Sequence, residues 1–163
     1  MNDSNALSLT ERLAEAMLRN RHTLVTAESC TGGGIAHIVT SIPGASQWFD
    51  RGFVTYTNDA KREMLSVSQD ILTRFGAVSE ECAAAMVEGA ITQSQADIAV
   101  SVTGIAGPDG GTQEKPVGTV CFGWCQRGAA LRTTRVVFSG DREAVRQQSV
   151  LMAVQGLLDL LEA

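Results

Sequence analysis

Lysine is scarce in this sequence: of thirteen basic side chains, only Lys61 and Lys115 are lysines. Tyrosine occurs once, at Tyr56, and histidine twice, at His22 and His37. With so few histidines and no Cys-x-x-Cys, zinc-ligand spacing is absent, and neither a metal nor a cofactor is expected. No apolar run approaches the ~20 residues that span a bilayer, so no membrane partner is expected. No Lys/Arg cluster offsets the formal net charge of −5, which argues against a nucleic-acid partner. The first ten residues are polar and carry Asp3, unlike a signal peptide. The four cysteines, Cys30, Cys82, Cys121 and Cys125, are therefore expected as reduced thiols in a cytoplasmic protein.

What is present fits one globular domain over residues 1–163, with 44% hydrophobic and 19% charged residues. A capping-box pattern from Ser8 to Glu11 predicts a first helix to about Arg21. Leu24 and Val25 centre a strand, followed by a tight turn and a helix to about Ser41. A second strand is expected over Gly52–Thr57, with Asn58 capping a helix to Leu65. Helices from Asp70 to Phe75 and from Ser79 to about Gln93 follow, then a strongly β-prone strand from Asp97 to Thr103. Two strands around Arg127-Gly128 and a long helix after Asp141 complete the chain. Helices alternating with strands, with a late hairpin, predict a three-layer α/β/α sandwich on a mixed sheet.

The stretch Thr26-Ala-Glu-Ser-Cys-Thr-Gly-Gly-Gly34 is the focus of this pattern. A hydroxyl-rich turn between strand and helix aims backbone N–H groups at a phosphate or a developing oxyanion. Ser29 stands where a nucleophile would be displayed. Cys30 is a competing nucleophile, ranked lower because strand neighbours point to opposite faces.

A base for Ser29 is suggested by Lys61, set in the first turn of its helix, where the dipole disfavours a cation and lowers its pKa. A solvated surface lysine fits the same spacing equally well. Tyr56 could relay a proton or donate to an oxyanion; taken alone, a half-buried strand aromatic is the simpler reading. Ser29, Lys61 and Tyr56 together would form a nucleophile–base arrangement with lysine in place of histidine. The segment from Gly104 to Pro116 is long for a loop in a compact domain, which favours function, here a substrate lid.

Ala27-Glu-Ser-Cys-Thr-Gly-Gly33, Gly52-Phe-Val-Thr-Tyr-Thr-Asn-Asp-Ala-Lys61, Thr103-Gly-Ile-Ala-Gly-Pro-Asp-Gly-Gly111 and Glu114-Lys-Pro-Val-Gly118 together resemble the CinA C-terminal domain family. The resemblance covers nearly the whole chain, with the motifs in order; Thr57 stands where many relatives are expected to have Ser. Stand-alone members of that family include nicotinamide-nucleotide amidohydrolases. The resemblance implies hydrolysis of the carboxamide of nicotinamide mononucleotide, with Ser29, Tyr56 and Lys61 at the catalytic positions. Substrate contacts are expected from Glu28, Cys30, Thr31, Gly32, Gly33 and Asn58, and from Thr103, Gly104, Ala106, Gly107 and Lys115, the last as the cation for a phosphate. The expected partner is a small-molecule nucleotide, and the expected assembly a homo-oligomer. The alternative is a catalytically silent paralogue that serves as a nucleotide-binding or partner module.

Overall fold

A computed structural model describes residues 3–162. Its elements run α1 (Asp3–Asn20), β1 (Leu24–Glu28), α2 (Gly34–Thr40), a 3-10 turn (Ala45–Gln47), β2 (Phe49–Val54), α3 (Asn58–Leu65), α4 (Gln69–Phe75), α5 (Glu80–Thr92), β3 (Ile98–Gly104), β4 (Thr119–Gln126), β5 (Arg132–Val137) and α6 (Arg142–Glu162). The sheet order is β2-β1-β3-β4-β5. β1 lies parallel to both β2 and β3, while β4 and β5 add antiparallel strands at one side. This is the expected mixed-sheet sandwich.

Alternation along the central strands explains the three layers. Leu24, Ile98, Val100 and Val102 face a core shared with α1, α2 and α6. Val25, Ala27 and Ala99 face the opposite core, filled by Leu65, Leu72, Met86 and Val87 of α3, α4 and α5. Strands buried on both faces read as continuous apolar runs, as Ile98 to Val102 does. Among the described residues, no helix is long and apolar enough to cross a membrane.

Three boundaries differ from expectation, each for a local reason. α1 begins five residues before Ser8, and the Thr10 hydroxyl donates to the Ala6 carbonyl at 2.7 Å across a turn that is already helical. The alanine and leucine at 6 and 7 are good helix formers and carry the helix past the capping-box signal. β2 begins at Phe49 because β1 pairs with it from Leu24 onwards, Leu24 opposite Phe49 and Glu28 opposite Val54. α3 is capped by Thr57, whose hydroxyl accepts from Ala60 N–H at 3.0 Å, rather than by Asn58. Ser79 caps α5 as expected, accepting from Cys82 N–H at 3.1 Å.

The far core is closely fitted. α6 crosses the Trp124 indole at Gly156, whose missing Cβ leaves the room the ring occupies, and the indole Nε1 donates to the Ala153 carbonyl at 3.1 Å. Gly156→Ala would push a methyl into a rigid ring held on both sides. It should lower stability by about 1–3 kcal/mol, read as a reduced thermal midpoint at unchanged helical content.

Candidate active site

Three segments meet at the carboxyl ends of the parallel strands β1, β2 and β3, the edge where open α/β sheets bind ligands. The first is the turn after β1. Its shape is set by Glu28, a side chain only 1% exposed. The Glu28 carboxylate accepts from the Thr31 hydroxyl at 2.6 Å, Ile35 N–H at 2.9 Å and Ala36 N–H at 3.1 Å. α2 starts from Gly33, which offers no side chain to cap it, so Glu28 satisfies the exposed N–H groups that an ordinary cap would take. Gly32 and Gly33 have φ of +58° and +101°, a conformation open to glycine, which reverses the chain within a few residues. From outside, Arg146 of α6 donates to the carbonyls of Cys30 at 3.1 Å and Thr31 at 3.3 Å.

Within this frame Ser29 is pinned on both sides. Its N–H donates to the Val102 carbonyl at 3.0 Å, and its own carbonyl accepts from Gly32 N–H at 3.0 Å. The second segment leaves β2. Thr55 N–H donates to the Glu28 carbonyl at 2.8 Å, and the chain then turns into α3. Lys61, one turn into α3, reaches back and is 1% exposed. Its Nζ lies 3.0 Å from Ser29 Oγ, 2.9 Å from the Thr55 carbonyl and 3.4 Å from the Tyr56 carbonyl. None of the ion pairs among the described residues involves Lys61.

That environment favours a neutral amine. Burial pushes the Lys61 amine below its usual range, and only the neighbouring Cys82 and Cys30 thiols act against it. The two carbonyls can only accept, so the two hydrogens of a neutral amine go to them. In that neutral form the lone pair would face the Ser29 hydroxyl, the arrangement a nucleophile and its base require, whereas the charged amine donates to Ser29 Oγ.

Cys30 lines the same cavity, contrary to the expectation that it would face away. Residues 29 and 30 lie in the turn beyond β1, where strand alternation no longer applies. Burial, with the adjacent Glu28 carboxylate adding to it, pushes the thiol up to about 12. The thiolate is thus scarce at neutral pH. Cys30→Ala should keep turnover within a few-fold of wild type, and loss of activity there with retention in Ser29→Ala would transfer the nucleophile's role to the thiol.

Residues 6–161 match the family described as the CinA C-terminal domain. The chain belongs to that family. It is 49% identical over 157 residues to the nicotinamide-nucleotide amidohydrolase PncC of Escherichia coli strain K12, covering 96% of this chain and 95% of that protein. It is 50% identical over 153 residues to the protein of the same name from Pseudomonas putida, covering 94% and 95%. A crystal structure of a CinA superfamily protein from Klebsiella pneumoniae 700603 superposes with a TM-score of 0.93 at 40% identity over 99% of each chain.

In this CinA-family domain the third segment, after β3, closes a cavity of about 280 Å³. Ser29, Cys30, Tyr56, Asn58, Lys61, Thr103, Gly104, Ala106 and Gly107 all line it. Glu28, Thr31, Gly32 and Gly33 do not: they build the turn behind the wall. The positive end of α2 is taken by Glu28, which leaves it closed to a phosphate. Lys115 also lies elsewhere, its ammonium donating to the Phe75 carbonyl at 2.6 Å beside Glu80, Glu81 and Glu114. Tyr56 is 58% exposed, and its hydroxyl accepts from Arg142 at 3.0 Å rather than from Ser29 or Lys61.

Sequence reasoning passed over Arg142 and Asp109, both in the cavity wall. Arg142 also donates to the Gly107 carbonyl at 2.8 Å, which ties the loop to the Tyr56 segment. Arg142 did leave a signal: a cation in the first turn of α6, where the dipole disfavours it. Among the described residues, no group of three or more His, Cys, Asp and Glu could hold a metal ion.

Proposed function

We propose that this chain hydrolyses the carboxamide of nicotinamide mononucleotide to nicotinate mononucleotide and ammonia. The observation that carries the reading is the buried Lys61 Nζ, 3.0 Å from Ser29 Oγ and oriented by two backbone carbonyls. Near-identity in length with relatives named nicotinamide-nucleotide amidohydrolase supplies the substrate class. Ser29 Oγ attacks the carboxamide carbon as Lys61 takes its proton. Lys61 then returns that proton to the departing nitrogen, releasing ammonia and leaving an ester on Ser29. Water, deprotonated by Lys61, attacks the ester to give the carboxylate and restore Ser29. The N–H of Cys30, which follows the nucleophile and has no backbone acceptor among the described residues, is the donor this reading assigns to the oxyanion.

In this reading the ring and ribose enter the cavity of about 280 Å³ and the phosphate meets Arg142, the guanidinium of its wall; a guanidinium forks onto phosphate oxygens. Arg142→Ala should raise KM by roughly 10–100-fold with kcat changed by less than about five-fold. An unchanged KM would move the phosphate elsewhere. The function itself is tested by ammonia release from nicotinamide mononucleotide beside nicotinamide and glutamine. Turnover of the first alone is expected; equal turnover of all three would make this a general amidase, and none of any would make it a binding module.

A further inference from the structure

The cavity wall contains one carboxylate, Asp109. Its place is odd for a site built around an anionic ligand. Asp109 sits beyond the Gly107 carbonyl that Arg142 holds, in a loop flanked by Gly107 and Gly110 with φ of +87° and +94°. It takes part in none of the hydrogen bonds or ion pairs found among the described residues, although Arg142 is in the same wall. A free carboxylate in the wall repels an anionic ligand unless that ligand also brings a positive charge to it.

We propose that Asp109 is a specificity-determining residue that selects a cationic, N-substituted pyridine ring over a neutral one. The inference rests on the nucleotide reading above and deepens it. A nicotinamide nucleotide is a zwitterion: its ring nitrogen, bonded to the ribose, carries a positive charge, and its phosphate carries the negative ones. The wall offers a matching pair, Asp109 for the ring and Arg142 for the phosphate. The exposed Tyr56 ring on the same wall adds a π-face for the same cation. The ring keeps its charge through the attack on the carboxamide, so Asp109 holds ground state and transition state alike. Its loss therefore registers in binding and KM rather than in kcat.

The test compares nicotinamide mononucleotide with its 1,4-dihydro form, which keeps the carboxamide, ribose and phosphate but has an uncharged ring. Dissociation constants for both are measured by calorimetry on the full chain carrying Ser29→Ala, with and without Asp109→Asn. Without the second substitution the oxidised form should bind about ten-fold more tightly than the dihydro form. Asp109→Asn should weaken the oxidised form by about 2–5-fold, the range for one exposed charge contact, and leave the dihydro form unchanged. Asp109→Glu should restore most of the preference. Equal weakening of both forms, or no weakening of either, would overturn the proposal. Ammonia release by the chain with Ser29 intact separately decides whether it is an amidohydrolase, so the two readings fail independently.

Discussion

Ser29→Ala should lower kcat on nicotinamide mononucleotide by at least about 10⁴-fold, equivalent to about 5.4 kcal/mol of barrier, with KM little changed. The size follows from the geometry. In the proposed reaction Ser29 Oγ makes the bond that expels ammonia and is the leaving group when water attacks, and the amine proposed to take its proton lies 3.0 Å away. The substitution removes that oxygen but keeps the backbone that shapes the turn: Ser29 N–H on the Val102 carbonyl and Gly32 N–H on the Ser29 carbonyl. The thermal midpoint should therefore stay within a few degrees of wild type. Loss of activity with an unfolded chain would say nothing of the nucleophile, and for that reason the melt and the assay belong together. A folded Ser29→Ala variant with wild-type turnover would end the serine mechanism.

Residues whose role is local were legible in the sequence; residues whose role depends on distant chain were not. The place of Ser29 in the cavity wall was legible because strand, turn and helix are contiguous, and Lys61 stood out because a lysine is rare here and badly placed for its helix dipole. Lys61 is nevertheless tuned chiefly by burial, with the dipole argument weakened by the cap's true position at Thr57. Glu28 was misread as a substrate contact because α2 lacks a capping side chain, and nothing in sequence says that a residue one strand earlier fills that role. Lys115 looked like the phosphate cation because it shares a loop with Gly107. The two ends of that loop face different hollows, and only the nearer one reaches the cavity. The guanidinium in the cavity wall, Arg142, comes instead from α6, and its meeting with Tyr56 and Gly107 is long-range. The sheet order itself was open for the same reason: pairing of β1 with β3 is long-range, whereas the hairpin of β4 and β5 announces itself at Gly128.

Lys61→Arg should be as inactive as Ser29→Ala, a loss on the order of 10⁴-fold, although it retains a cation of similar length. A guanidinium stays protonated across the working range and cannot accept the serine proton. It would also hold a permanent charge where no carboxylate pairs with the side chain, so the fold is checked in parallel with Lys61→Met, which fills the space without charge. The pH dependence carries the same argument. Burial lowers the Lys61 pKa below the free value of about 10.4, so wild-type kcat/KM should rise with pH and level off once the amine is neutral. Stability should follow in the same direction. Between the lowered folded value and the unfolded one, the unfolded chain binds the extra proton, and stability climbs with pH across that window. Lys61→Met should lose that slope. Lys61→Ala should regain part of its turnover when a small primary amine is added, because the missing group is a base rather than a charge. Substantial turnover by Lys61→Arg with the wild-type pH profile would assign Lys61 to electrostatic support, and the base would then have to be another group of the cavity, such as the Tyr56 hydroxyl.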